Sequence, residues 1–395
     1  MTNEFRLSSR NFLFICIANF LYFGSFYLLL PTLPQYVAQL GGSASQIGTV
    51  MGAFTLTSVI VRPSLAKIAD LYGRRWIMLI GSGSFALLFL LYGQIHSMIP
   101  LYLVRLAHGV AHGSYLAASF AYIADLAPTE RRGEVIGIYG TSNVVAMALF
   151  PGLGIALLDY AGGNFPFLFI VSFGTCAAAF LAVIVIGEMK PNIGKTETTK
   201  HSSVARHRIL WICSLALFSG ATVYGAVAAF LPVYAPERGL KNFGVYFTAL
   251  AVSTLASRVL TGRLSDRIGR RKVILPFMGL LAVAVFLLPL LHSLSMLILI
   301  GICFGLGFGA YMPTLNALVV DETIPKERGR VVAFFTSFMD VGITTGSVVL
   351  GLAADYWGYA TMFTIGGFIV IGGVLLFALG ARANAWPGRS KGWDC

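Results

Sequence analysis

One stretch of this chain is written twice. The segment from Arg62 to Arg75, RPSLAKIADLYGRR, returns from Arg258 to Arg271 as RVLTGRLSDRIGRR, with Asp266 following Asp70 by 196 residues (266 − 70), about half of the 395-residue chain. Both copies are short basic loops between long apolar runs, so the chain divides into two similar membrane halves. Two similar bundles that rock about a central site suit the movement of a solute between two sides of a bilayer.

Apolar runs of about 20 residues, the length that crosses hydrocarbon as a helix, recur along the whole chain. Twelve of them fall between residues 11 and 380, and they lack the alternation of polarity every second residue that marks a membrane barrel. The expected fold class is therefore an all-α membrane protein with twelve transmembrane helices in two pseudo-symmetric six-helix bundles. Hydrophobic residues make up 57% of the chain and charged ones 11%, too little charge for the surface of a soluble domain this size. The expected organisation is an N-terminal bundle over 1–187, a polar cytoplasmic linker over 188–208, rich in Lys and Thr, and a C-terminal bundle with a short tail over 209–395.

The net charge of +12 raises a nucleic-acid reading, which its distribution argues against. Alternate loops and both ends hold nearly all of the Lys and Arg, the opposite loops hold Arg238 and Lys241, and Arg62, Arg105 and Arg258 sit within spans. The positive-inside rule then puts both termini and the basic loops in the cytoplasm, which requires an even number of spans. The first span follows a short basic tail without a small-residue cleavage site and reads as retained. The five Cys show no metal or redox spacing.

At the same shift, polar and small positions match throughout: Gly48/Gly244, Arg62/Arg258, Asp70/Asp266, Gly109/Gly305, Tyr115/Tyr311, Asp125/Asp321 and Asp159/Asp355 among them. These loops, with Gly262, Asp266, Gly269, Arg270 and Arg271 in the second copy and Asp70, Gly73, Arg74 and Arg75 in the first, resemble the signature of the major facilitator superfamily across essentially the whole chain. The first copy departs from it at Ala66 and Leu71. The resemblance implies a cytoplasmic latch in which Asp70, Arg74, Arg75, Asp125 and their counterparts Asp266, Arg270, Arg271, Asp321 hold a cytoplasm-closed state; simple headgroup anchoring by the arginines is the plainer alternative.

Helix 4 carries Arg105, His108, His112 and Tyr115 on one face, at +3, +7 and +10. An arginine inside a span has to pair or face water, and Arg105 resembles the helix 4 arginine of proton-coupled family members. Gly301 stands at its repeat position, so this group exists in one half only. His108 and His112 at i, i+4 lack the adjacent Glu and third ligand of a zinc site, so no metal is expected. The imidazoles read as a proton relay or cavity lining, or as buried structural histidines.

Asp340 is the acidic side chain deepest in an apolar run, roughly 15 Å from its basic end at the rise of a helix. With Thr336, Thr344 and Ser347 it forms a polar stripe, and Val144 stands at its repeat position. A carboxylate removed from water favours its neutral form, so a group that is neutral when dry and charged when wetted suits proton coupling. Simple hydrogen bonding to its neighbours is the alternative.

Helix 5 has Gly137, Pro151 and Gly154 where the family's exporter signature has them, with Ala146, Phe150 and Ile155 in place of glycine; this reads as a hinge, or as plain helix packing. The family's cavity-lining helices carry Asn19, Tyr22, Phe26, Tyr115, Phe218, Thr222, Tyr224, Tyr311 and Asn316 here, which suits a moderately apolar organic solute, cationic ones included. No phosphate-binding loop of the Gly-x4-Gly-Lys-Ser/Thr type occurs. The expectation is a proton-coupled secondary transporter of a small organic molecule acting as a monomer, with protons and the solute as partners, no cofactor and no enzymatic activity. Export is favoured over uptake symport, and a membrane-embedded enzyme and a sensor on a transporter fold are the remaining rivals.

Overall fold

A computed structural model of the protein describes residues 9–128, 131–188, 208–323 and 327–380. Among these residues the chain is helical. Inside hydrocarbon a helix satisfies its own backbone groups, and the apolar runs leave few other options. The helices are α1 (Arg10–Leu29), followed by a short Leu33–Gln39 helix, α2 (Ala44–Tyr72), α3 (Arg74–Tyr92), α4 (Met98–Leu126), α5 (Arg132–Tyr160) and α6 (Phe165–Val185). The second half has α7 (Arg208–Glu237), α8 (Gly244–Ile268), α9 (Arg270–Leu287) and α10 (Leu294–Asp321). The helical stretch Arg328–Gly380 is broken at Gly358, whose φ of 77° is not helical, and it forms α11 (328–357) and α12 (359–380). Ten stretches are long and apolar enough to cross a membrane; splitting the last and adding α4, whose Arg105 and two histidines lower its apolarity, gives the twelve expected spans. Most of the proposed linker and the C-terminal tail lie outside the described residues.

The duplication reaches the backbone. Gly73 (φ 100°) and Gly269 (φ 97°) make the one-residue turns between α2 and α3 and between α8 and α9, and Gly162 and Gly358 repeat a second left-handed position. Side chains are rarely tolerated there, so glycine is what lets each chain reverse so tightly. Arg75 then donates to the carbonyl of Ile184 (2.6 Å) at the end of α6, and Arg271 to that of Ala378 (2.5 Å) at the end of α12. Cations there satisfy carbonyls left over at a helix C-terminus.

Helices α1–α6 pack on one another, as do α7–α12, and the halves meet along two equivalent seams, α2 against α11 and α5 against α8. Both seams are tightest at the face opposite the basic loops. A Cβ on Gly48 would collide with the Ser347 backbone, one on Gly52 with Val348, and one on Gly351 with the Ala44 carbonyl. The Asp355 carboxylate of α11 crosses to the other half and caps the start of α2, accepting from Ala44 N (2.7 Å), Ser45 N (3.0 Å) and Ser43 Oγ (2.9 Å). A carboxylate at a helix N-terminus meets unpaired N–H groups and the positive end of the helix dipole.

Toward the basic loops the second seam parts. Gly137, Gly140, Val144, Met147 and Pro151 share one face of α5. At Met147 and Pro151 that face borders Tyr224, Phe247 and Leu250 of the other half around a small apolar cavity, whereas side chains at Gly137 or Gly140 would meet open space. Gly262 of α8 likewise faces open space. The bundle is closed at one face and open toward the other.

This packing predicts opposite outcomes for two glycines. Gly48→Ala should destabilise the protein by about 1–3 kcal/mol through overpacking, and Gly137→Ala should leave it unchanged or slightly more stable. Thermal unfolding in detergent checks both.

Candidate functional site

The polar stripe expected on α11 forms one wall of the seam with α2. Asp340, Thr344, Ser347, Gly351 and Asp355 follow one another along it. Opposite Asp340 stands Arg62 of α2, whose Nη1 lies 3.0 Å from Asp340 Oδ2. The side chains keep 35% (Arg62) and 16% (Asp340) of their exposure, so this is a charged pair between the halves that still touches the open cavity. Arg62 Nε has no partner and is buried. Sequence reasoning singled out Asp340 and left its partner unassigned. The available signal was that Arg62 is a charge inside an apolar span.

His112, a candidate neighbour of Asp340, turns instead into the first half. Its Nδ1 is 3.2 Å from Tyr22 Oη, and its ring packs against Phe26 and Phe54 (centroids 5.5 and 4.9 Å). Arg105 and His108 also lie inside the first half, away from the seam with α11. Arg105 is buried, donates from Nε to the Val50 carbonyl (3.1 Å) and lies over the Phe54 ring at 4.4 Å. Its charge is thus held by a carbonyl dipole and a ring face, without a carboxylate. His108 Nε2 contacts the Phe85 carbonyl (3.0 Å), an acceptor, so Nε2 carries the hydrogen and Nδ1 accepts from Tyr92 Oη (2.9 Å). Both nitrogens of this neutral ring are occupied.

The loop pairs form with the expected partners. Arg74 meets Asp125 (2.8 Å) and Asp70 (3.1 Å), and Arg270 meets Asp321 (3.1 Å) and Asp266 (2.5 Å). Each set joins helices of one half, and each is intact while the basic face is open. In this state the pairs brace α2, α3 and α4, and α8, α9 and α10, each within its own half.

The cavity candidates separate into two groups. Phe26, Phe218, Tyr224 and Asn316 are partly exposed. Asn19, Tyr22, Tyr115, Thr222 and Tyr311 are buried. Asn19 donates to Ser142 Oγ (2.7 Å), Tyr22 stacks on Tyr115 (3.8 Å), and Tyr311 Oη fits over Gly220. These residues hold the cavity walls together. On α5, Gly154 allows close approach to the Leu28 carbonyl of α1, and Phe150 fits where a Cβ on Gly24 would stand. Where the exporter signature expects glycine in α5, the room is supplied from α1. Gly137 faces open space and makes no such approach, so only part of the signature packs as that reading requires.

A helical bundle with a membrane-embedded charged pair on a two-half seam defines a membrane transporter. The sequence profile of the Major Facilitator Superfamily matches residues 15–257 and 242–392, so the chain belongs to that family and is a multi-pass membrane transporter. It is 24% identical to the staphylopine export protein of Staphylococcus aureus, over 91% of this chain and 93% of that protein. It is 26% identical to the multidrug resistance protein MdtG of Salmonella paratyphi A, over 93% of each. Among solved structures, a point mutant of the nucleoside transporter NupG superposes with a TM-score of 0.81 at 15% identity, over 93% of this chain and 99% of that one.

The two loop braces differ in burial, with side-chain exposures of 10% and 15% for Arg74 and Asp125 against 25% and 51% for Arg270 and Asp321. Arg74→Ala should therefore destabilise by about 3–5 kcal/mol, because it strands a shielded carboxylate. Arg270→Ala should cost about 1 kcal/mol or less. Comparing their melting temperatures in detergent tests the difference.

Proposed function

We propose that the chain is a proton-coupled exporter of a small organic solute that works by alternating access, as a monomer, in a bacterial-type cell membrane. In this reading the basic loops and both termini are cytoplasmic, supported by the gathering of Lys and Arg on alternate loops. The open cavity then faces the cytoplasm, and Asp355 with the glycine seams closes the outer face. A relative named for export, the staphylopine export protein, and one named for multidrug resistance favour the outward direction.

The observation that carries the reading is the Arg62–Asp340 pair. It spans the two halves at the inner end of the cavity, where an ionised side chain is stable only with a partner or with water. A proton on Asp340 removes one of the two charges and with it the attraction between α2 and α11. The seam is then free to change its spacing, while Arg62 stays positive. Loss of the proton restores the pair. A solute that favours the deprotonated state is thereby exchanged for protons, and opening the outer face requires the Asp355 cap on α2 to break.

Asp340→Asn should abolish transport driven by a pH gradient in proteoliposomes, by at least about tenfold, while leaving the protein folded. Unchanged pH dependence would remove Asp340 as the coupling group. Everted and right-side-out vesicles under the same gradient separate export from uptake.

A further inference from the structure

The repeat gives the cavity a second arginine, and this one lacks a carboxylate. Arg258 of α8 is the counterpart of Arg62 of α2, and the position facing it by the same symmetry is Val144 of α5, the counterpart of Asp340. On the first seam the acid neutralises the cation; on the second there is no acid to do so. Arg258 has neither a hydrogen bond nor an ion pair among the described residues, and its side chain is exposed.

The exposure is toward the cavity. Phe247, Ala251 and Gly262 lie at −11, −7 and +4 from Arg258, on one face of α8. Phe247 borders the small cavity between the halves, and Gly262 faces the open space toward the basic loops. Arg258 is within electrostatic reach of the hydroxyls of Tyr27 in α1 and Tyr224 in α7, so it stands where both halves meet. The groups around it are mostly donors. Tyr27 Oη gives its proton to Asn143 Oδ1 (3.2 Å), leaving the Asn143 amide N–H groups to donate. Tyr224 stacks on Phe308 (4.9 Å), and Phe23 stacks on Tyr27 (6.0 Å), so both hydroxyls belong to aromatic pairs.

We infer that Arg258 is the docking point for the anionic group of the transported solute, and that the solute is an organic anion with an aromatic or otherwise apolar body. The inference rests on the transport reading above and names its substrate class. It narrows the moderately apolar organic solute, cationic ones included, that the aromatic residues suggested from sequence. A guanidinium presents a fork of N–H donors matched to a carboxylate, and an ionised partner strengthens each of those hydrogen bonds. With no carboxylate opposite, the guanidinium depends on the open cavity for solvation until an anion replaces that water.

The test uses the purified full-length chain and three probes of one shape: 2-naphthoate, 2-naphthamide and 2-naphthylmethylammonium. Binding is read from ligand-dependent thermal shifts, and flux from proteoliposomes. Wild type should bind the carboxylate more tightly than the amide by about tenfold or more. Arg258→Gln should erase that preference without lowering the ligand-free melting temperature, since no protein partner is stranded, and Arg258→Lys should retain part of it. A preference for the amide or the ammonium, no binding of any probe, or a carboxylate preference that survives Arg258→Gln would overturn the inference. Asp340-dependent flux of the amide or ammonium probe would overturn it and leave the transport reading standing. Arg258-dependent flux of naphthoate that ignores Asp340→Asn would do the reverse.

Discussion

An ionised side chain inside an apolar bundle has to find a partner, a dipole or water, and this constraint orders the interior of the protein. An isolated charge there costs several kcal/mol, more than one packing contact returns. The charges deepest in the spans meet the requirement in three ways. Arg62 and Asp340 neutralise each other across the seam. Arg105 is wrapped by the Val50 carbonyl and the Phe54 ring. Arg258 remains exposed at the cavity. Only the first and third arrangements are open to what enters the cavity, because the second is buried within one half.

Close backbone approach is the other ordering element, and it is confined to one end of each seam. Gly48, Gly52 and Gly351 bring α2 and α11 together near the face opposite the basic loops, and Gly152 and Gly244 do so for α5 and α8. Glycine permits approach without a hydrophobic drive between helices, which a lipid environment does not supply. Farther along, α5 and α8 diverge at Gly137, Gly140 and Gly262. The Asp355 cap sits at the tight end and the Arg62–Asp340 pair farther along the α2 seam, so two polar contacts bracket it. Asp159, the counterpart of Asp355, makes no side-chain hydrogen bond or ion pair among the described residues, so the second seam is without an equivalent cap from it.

Much of the architecture was legible because hydrophobic length and duplication act locally along the chain. The twelve spans, the turns at Gly73 and Gly269 and the polar stripe through Asp340 follow from short-range pattern, and the pairs Arg74–Asp125 and Arg270–Asp321 from the resemblance of the duplicated loops. The site was harder to read for a geometric reason. Counting residues fixes depth in the membrane, but it leaves open which helix lies opposite and which way each helix is rotated. His112 lies on the face of helix 4 that reads as a relay or cavity lining, yet it turns toward Tyr22 in its own half. Asymmetry in the repeat was also an incomplete guide. It marked Asp340 as unusual, but it marked Arg105 equally, and Arg105 proves to be packed and sealed.

Symmetry with one acid missing has a mechanical consequence. If both seams carried an Arg–Asp pair, a proton taken up on either side would loosen equivalent contacts, and the two halves would respond alike. Here the α2–α11 seam holds an acid that can gain or lose a proton, and the α5–α8 seam holds a cation whose charge is fixed at any physiological pH. In the proposed mechanism one seam registers protons and the other registers the charge of the solute. Both meet the same cavity, so occupancy of one changes the electrostatic balance felt at the other without any contact between proton and solute. In that mechanism a duplicated scaffold acquires two distinct inputs through the difference between Asp340 and Val144.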